Sequence, residues 1–495
     1  MAPSVTQSPQ EYVAQSPRAA QKYRKLLLIY PPFSMETVKD RNESYGVAVL
    51  PPLGMLTIAG EVEKHGYEVS FIDAELEMLN DADILGRALS VRPDVVGIYC
   101  TSANFNHLVK LSNRIKEKLG AKIFFGGPHV WHHWQTVMKS GAVDYAVIGE
   151  GEQATVELLD ALNSTGDVDV VKGIAYIKGG EPFFTGTRPF LKNLDELGYP
   201  AFHLVDIYKY RPSPQHVRRN PSVTMTTTRG CPFTCTFCYV PFLFNRSYRT
   251  RSVDHVIGEI KQLQERYGIK EIQFFDDLFG ANKKWLNEFL DRIIDEKIDI
   301  TWSCMTRIDI FDEKLAPKMK KAGCWCIFFG MESLDQEVLD AIDKKIKVED
   351  IERAIPIVKK AGIEIRANFI LGSPAETPEK AKKMISRLCQ LNPDYVKFNV
   401  MCPYPGTRIF NEIKEGKWGK LVDEYSDELL TNHEVIFVPF GYKDAKEVAQ
   451  MRRYAFRKFY MRPSYVLWRL TKIRSWFDLV RHYRGFRLVV KRYIF

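Results

Sequence analysis

The chain has 495 residues, of which 45% are hydrophobic and 26% charged, a globular composition too long for a single core. No stretch reaches the ~18 apolar residues of a membrane span, and nine cysteines are too few, and odd in number, for a disulfide scaffold. Of a formal net charge of +9, residues 451–495 carry +12 (13 Lys or Arg against Asp478), so the preceding body sits at −3, which argues against a broad nucleic-acid surface.

Residues 1–22 are polar and rich in Ser, Gln and Pro, and are expected to be disordered. Residues 23–165 then alternate strand and helix patterns. Strands are expected at 26–32, 67–74, 94–102, 121–130 and 144–152, with a helix from Leu53 to near Gly66 and helical stretches in the other gaps. That alternation predicts a doubly wound, Rossmann-like sheet, whose ligands lie outside the carboxyl ends of the strands. Gly126, Gly127, Gly149 and Gly151 cluster at those ends. Glycine permits close backbone approach to a large ligand, although a plain turn accounts for each of them equally well.

Residues 166–222 read as a connector with a small hairpin at Gly179-Gly180. From 223 to 415 the βα period returns. Strands are expected at 223–230, 270–276, 299–306, 325–330, 363–371 and 394–400, with helices at 253–267, 282–296, 312–322, 335–342, 348–361 and 377–391. Six such repeats predict a (β/α)6 partial barrel, with reactive groups at the carboxyl ends of its strands.

The first of these strands runs into Cys231, Cys235 and Cys238, a CxxxCxxC run. Three close thiolates can hold one face of a [4Fe–4S] cluster and leave one iron open. A zinc knuckle is the alternative, with His255 as the nearest downstream histidine. Asp276 and Asp277 end the second strand. Arg307 and Asp309 follow the third, Glu332 and Ser333 the fourth, and Arg366 and Asn368 lie in the fifth ahead of Gly372. Cys402 and Tyr404 follow the sixth, at the barrel mouth. Tyr404 is the better candidate for lining a substrate cavity. Cys402 reads as a substrate contact, a thiol participant or a plain loop residue.

With Phe237 before its last cysteine, the motif resembles that of the radical S-adenosylmethionine (SAM) enzymes. The resemblance implies that Cys231, Cys235 and Cys238 ligate the cluster and that SAM chelates the open iron. One electron then splits SAM into methionine and a 5′-deoxyadenosyl radical. It further implies that Asp276 and Asp277 meet the SAM amino group, that Arg307, Glu332 and Ser333 meet its ribose and carboxylate, and that Gly372 lies against adenine. Arg307 also fits an ordinary ion pair. Residues 24–165 resemble the cobalamin-binding domain of the B12-dependent branch of that family. This places Thr101, Ser102, Asn104, Gly127, Pro128, His129 and Gly151 towards the corrin. The chain lacks the DxHxxG pattern of base-off cobalamin enzymes, so the lower cobalt ligand is open. His129 is a candidate for it, or a loop residue.

The resemblance implies C-methylation of an apolar or lipid-like substrate, with oxidative cyclisation of a porphyrin-type substrate or another radical rearrangement as the alternative. An iron–sulfur electron-transfer or sensing protein is a further reading. A reductant such as ferredoxin or flavodoxin is expected, as is a reducing cytoplasm. Residues 416–495 read as a helical region. Its last 45 residues interleave 12 aromatic with 13 basic side chains. That pattern suits an anionic membrane surface on the inner face of the membrane, RNA stacking, or a helix packed on the enzyme. Nucleic acid is the least expected of these partners, because no separate RNA-binding module is evident.

Overall fold

The computed structural model describes residues 22–32, 49–164, 166–212, 217–422 and 435–471, and singly 473, 479, 483 and 487. Calls on residues 1–21 and most of 472–495 lie outside that set. The chain divides into two compact units, the first reaching Arg211 and the second holding Pro212 onwards.

In the first unit, β1 (Lys25–Tyr30), α1 (Leu53–Lys64), β2 (Glu68–Asp73), α2 (Asp81–Val91), β3 (Val95–Tyr99), α3 (Phe105–Leu119), β4 (Lys122–Gly126), α4 (Pro128–Lys139), β5 (Tyr145–Val147) and α5 (Gly151–Asn163) follow one another. The strands β1 to β5 are parallel, in the order β2-β1-β3-β4-β5. Side chains alternate across a strand, so a sheet buried on both faces feeds two cores. Leu27 and Ile29 of β1 enter one core with Ile84, Leu108 and Val130. Leu26 and Leu28 enter the other with Ala59, Val62 and Leu158. Each buried leucine contributes roughly 1.5–3 kcal/mol.

The connector hairpin belongs to this unit. β6 (Ile174–Lys178) and β7 (Glu181–Phe184) extend the same sheet antiparallel to β5. Their turn holds Gly179 and Gly180 at φ +60 and +89, as a two-residue primed turn requires. The expected fourth and fifth strands are shorter than read. β4 stops at Gly126, and Pro128 opens α4, where its fixed φ and missing N–H suit the first helical turn.

The second unit runs β8 (Ser222–Met225), β9 (Thr228–Arg229), α6 (Val240–Leu243), β10 (Arg249–Thr250), α7 (Val253–Tyr267), β11 (Glu271–Phe274), α8 (Lys283–Asp295), β12 (Thr301–Thr306), α9 (Leu315–Lys321), β13 (Cys324–Glu332), α10 (Gln336–Ala341), α11 (Val348–Lys360), β14 (Glu364–Leu371), α12 (Pro378–Leu391) and β15 (Tyr395–Val400). Then come α13 (Arg408–Lys414), the hairpin β16 (Gly419–Leu421) with β17 (Phe437–Pro439), α14 (Ala445–Tyr460) and α15 (Pro463–Leu470). Six parallel strands form one sheet in the order β15-β14-β13-β12-β11-β8. Ser252, Asn282, Thr377 and Thr407 cap α7, α8, α12 and α13, each accepting from a backbone N–H of the first turn.

Here the two sheet faces differ. Phe274 of β11 and Trp302 of β12 pack with Phe279, Trp285 and Phe289 on the helix side. The alternate residues therefore point to the concave side. The expected first strand divides. β8 stays in the sheet, while β9 leaves it to pair antiparallel with β10. Among the described residues no helix is long and apolar enough to cross a membrane.

Candidate active site

The cysteine loop is held from below by the end of β11. Asp276 is buried, and both of its oxygens are taken. Oδ1 accepts from the Thr227 and Thr228 amides at 2.7 and 2.6 Å and from Thr228 Oγ1 at 2.8 Å, and Oδ2 faces Thr227 Oγ1 at 3.2 Å. Burial pushes its carboxyl up to about 6 against these hydrogen bonds. Asp277 is exposed and accepts from the Gly230 amide at 3.2 Å. The acidic pair thus divides into a brace, Asp276, and a reachable carboxylate, Asp277. Gly230 has φ +85, and a Cβ there would lie 2.2 Å from the Ser247 carbonyl. Only glycine turns the chain into the cysteines at this point.

Cys231, Cys235 and Cys238 are half-buried, free thiols on the same loop. Burial raises all three, Cys238 to about 12. At Cys235 the Lys344 ammonium opposes that rise. The loop docks on residues 342–345. Thr236 N donates to Ile342 O (3.0 Å), and Thr234 Oγ1 donates to Asp343 Oδ2 (2.7 Å). Arg307 closes the latch. It pairs with Asp309, donates to the carbonyls of Lys344 and Lys345 at 3.0 and 2.7 Å, and lies 3.7 Å from the Phe233 ring centroid. Of the two roles weighed for Arg307, the ion pair is present, and it positions the cysteine loop.

Glu332 ends β13 at φ +65, a conformation rare for a non-glycine residue and concentrated at functional sites. It holds Lys344 Nζ at 2.8 Å, with both side chains buried. Gly330 leaves room for that pair: a Cβ there would lie 2.4 Å from Glu332 Oε1. Lys344 was missed in the sequence, because it stands in IDKKIK and reads as one of a run of surface lysines. Ser333 is buried, facing Met384 Sδ at 3.7 Å and accepting from the Asp335 amide. It therefore packs in the helix layer. Gly372, at φ +70, has its absent Cβ aimed at Val448 of α14 (2.9 Å), and its amide donates to Glu376 Oε1 at 2.7 Å. Packing against α14 thus accounts for this glycine. Glu376, also missed, accepts from Tyr442 at 2.6 Å, and burial pushes it up to about 7. Its signal was a Gly-x-x-x-Glu spacing.

On the concave face, Thr224, Gln273 and Ser303 sit in register across β8, β11 and β12. Thr224 Oγ1, Gln273 Oε1 and Ser303 Oγ are buried with no hydrogen-bond partner among the described residues. Arg366 joins this layer, donating to Cys326 Sγ at 3.2 Å and lying 4.2 Å from the Tyr395 ring centroid. At the strand ends, Cys402 is buried and Tyr404 half-buried. Burial pushes the Cys402 thiol up to about 11, opposed by a hydrogen bond from the Tyr404 side chain.

In the first unit, Gly127 has φ +108, and a Cβ there would meet the Cys100 carbonyl at 2.8 Å and the Tyr99 ring at 3.1 Å. Asn104 accepts from the Thr101 amide at 2.8 Å, while Thr101 Oγ1 is buried without a partner among the described residues. Ser102 Oγ lies 3.0 Å from His129 Nδ1, and the His129 ring stacks between Phe105 and His133. His129 and Pro128 stand on the first turn of α4, not in an extended strand end. Gly151 opens α5 beside Ile58. Tyr30, Asp73 and Tyr210 also gather at the strand ends. Tyr210 donates to Asp73 at 2.7 Å, and burial raises the Asp73 carboxyl to about 6.

Residues 225–388 match the Radical SAM superfamily, and residues 47–159 match the B12 binding domain. An uncharacterized methyltransferase, PH0819, of Pyrococcus horikoshii is 32% identical over 456 residues, covering 90% of this chain and 94% of that one. The chain is a B12-dependent radical SAM enzyme. The anaerobic magnesium-protoporphyrin IX monomethyl ester cyclase of Rubrivivax gelatinosus is 29% identical over 85% of this chain and 76% of its own. The cobalamin-dependent SAM radical enzyme OxsB shares the fold, with a TM-score of 0.73 at 16% identity over 94% of this chain and 70% of that one.

The cofactors of this B12-dependent radical SAM enzyme are a [4Fe–4S] cluster, SAM and cobalamin, and its residues fit them. Cys231, Cys235 and Cys238 are free, half-buried thiols on one loop, the donor set that three irons of a cluster take. His255 Nδ1 accepts from Arg251 at 3.0 Å. In the first unit, the buried Thr101 hydroxyl has no partner among the described residues, while Gly127 is the residue that lets its turn pack against Cys100 and Tyr99 at the strand ends.

Proposed function

We propose that the enzyme C-methylates an unactivated carbon of an apolar or amphiphilic substrate. The observation that carries this reading is the presence of a B12 binding domain and a three-cysteine radical SAM barrel in one chain that is 32% identical to an uncharacterized methyltransferase. When bound, the cofactors supply hydrogen-atom abstraction and a transferable methyl group.

The chain's own residues do the rest. Asp276, Gly230, Arg307 and the 342–345 segment fix the cysteine loop. Lys344 sets a buried positive charge beside Cys235. Asp277, Glu332 and Tyr404 are the polar groups that meet SAM and substrate. The Thr224–Gln273–Ser303 row with Arg366 takes a polar end of the substrate and leaves its apolar body towards the mouth. The first-unit residues Thr101, Ser102, Asn104, Gly127, His129 and Gly151 form the corrin cradle. A one-electron donor such as ferredoxin or flavodoxin is the required partner.

The test is anaerobic turnover of the reconstituted enzyme with SAM deuterated in its methyl group and a lipid extract. A deuterated methyl group in an organic-soluble product supports methylation. Formation of 5′-deoxyadenosine with a product that loses hydrogen and gains no label supports the cyclisation reading instead, which the cyclase relative favours.

A further inference from the structure

The helix α15 faces the reverse of what water favours. Tyr465 and Arg469 are buried, while Val466, Leu467 and Leu470 are exposed, Leu467 at 64% and Leu470 at 57%. Their i, i+3 and i, i+4 spacing puts the three apolar residues on one face. The edge strand explains why the arginine turns inward. The Arg469 guanidinium lies 4.3 Å from the Tyr395 ring centroid, hydrogen-bonds its hydroxyl, and stands 3.8 Å from Asp394 Oδ1. Tyr465 donates to Asp394 O at 2.9 Å. The outward leucines are therefore fixed in place by buried polar contacts on the other side.

The preceding helix adds charge. Arg453, Tyr454, Arg457, Lys458 and Met461 are all exposed and fall within one side of α14 and its end. Arg453, Arg457 and Lys458 form no ion pair among the described residues. The sequence then continues through residues 472–495 with seven Lys or Arg, six aromatics and one acid, Asp478.

We infer that this face docks the enzyme on an anionic membrane surface. Water favours arginine outward and leucine inward, the opposite of what α15 does. A nucleic acid uses cations and stacking rings but offers nothing to outward leucines. A bilayer takes both sets at once: leucines enter the acyl boundary, and the cations meet the headgroups.

The test is co-sedimentation of the anaerobically purified, full-length holoenzyme with two kinds of vesicle, pure phosphatidylcholine and an equal mixture of phosphatidylcholine and phosphatidylglycerol. The wild type pellets with the mixed vesicles and not with the neutral ones, and high salt weakens the binding. L467D/L470D and, separately, R453E/R457E each lower the bound fraction about tenfold or more, with unchanged melting temperature and cluster content. No binding to the mixed vesicles overturns the inference. So does binding that both double variants retain, or binding to single-stranded RNA that displaces the vesicles and ignores the leucine variant.

Discussion

Two parallel sheets built from the same βα repeat treat their second face in opposite ways. In the first unit, neighbouring residues of one strand, Leu27 and Leu28, enter two separate apolar cores. In the barrel, Phe274 enters an aromatic core, while its neighbour Gln273 faces the concave side with Ser303 and Thr224. Helices on both faces leave no place for chemistry except the strand ends, where Gly127 and Thr101 lie. In the barrel the face opposite the aromatic core carries polar side chains along the strands, Thr224, Gln273 and Ser303, all buried. The first sheet thus offers its strand ends, and the second also carries a polar row along the face opposite its aromatic core.

That contrast can be broken most completely at the cysteines. C231A, C235A and C238A should each abolish iron–sulfur absorbance and SAM cleavage while leaving cobalamin binding to the first unit intact. G127L should do the reverse: corrinoid absorbance is lost because the side chain strikes Cys100 O and Tyr99, and the cluster survives. Next in size is the buried pair. K344M leaves the Glu332 carboxylate buried without its cation, and should cost about 3–5 kcal/mol in denaturant unfolding. E332Q/K344M should recover most of that loss while still lowering the cluster reduction potential, read by redox titration.

A smaller effect separates barrel stability by pH. The Glu376 carboxyl rises from 4.5 to about 7 through burial. A raised folded value means that this group's stabilising contribution is complete below pH 4.5 and is lost as pH climbs through about 7. E376Q should flatten that slope, by on the order of a few kcal/mol, in melting curves across this range. The smallest stability change belongs to the concave wall. S303A should shift stability by less than about 1 kcal/mol, since it removes a hydroxyl that has no partner. It should raise KM for the physiological substrate nonetheless. A truncation in the two-sided sheet that opens an apolar cavity, V96A, should cost about 1–3 kcal/mol.

The fold was legible because the pattern had a period. Every barrel strand and helix named from the sequence is present, since apolar runs of five to eight residues alternate with amphipathic segments at regular intervals. The cysteine loop was legible from spacing alone. What escaped was set by tertiary contact. Lys344 looks like solvent-facing charge until Glu332 and Gly330 are brought against it. Asp276 looks like a ligand-facing acid until Thr227 and Thr228 turn back onto it. Gly372 looks like an opening for a ligand until α14 supplies Val448. Residue type announced each position, but the partner that decides its role lies 12 or more residues away.

The central claim is that three thiolates hold a cluster with one iron open to SAM. Electron paramagnetic resonance of the reduced holoenzyme, recorded before and after SAM is added, tests it most directly. The account predicts a cluster signal whose g-values move on adding SAM. An unchanged signal, or a loaded protein that carries zinc and gives no signal, contradicts it.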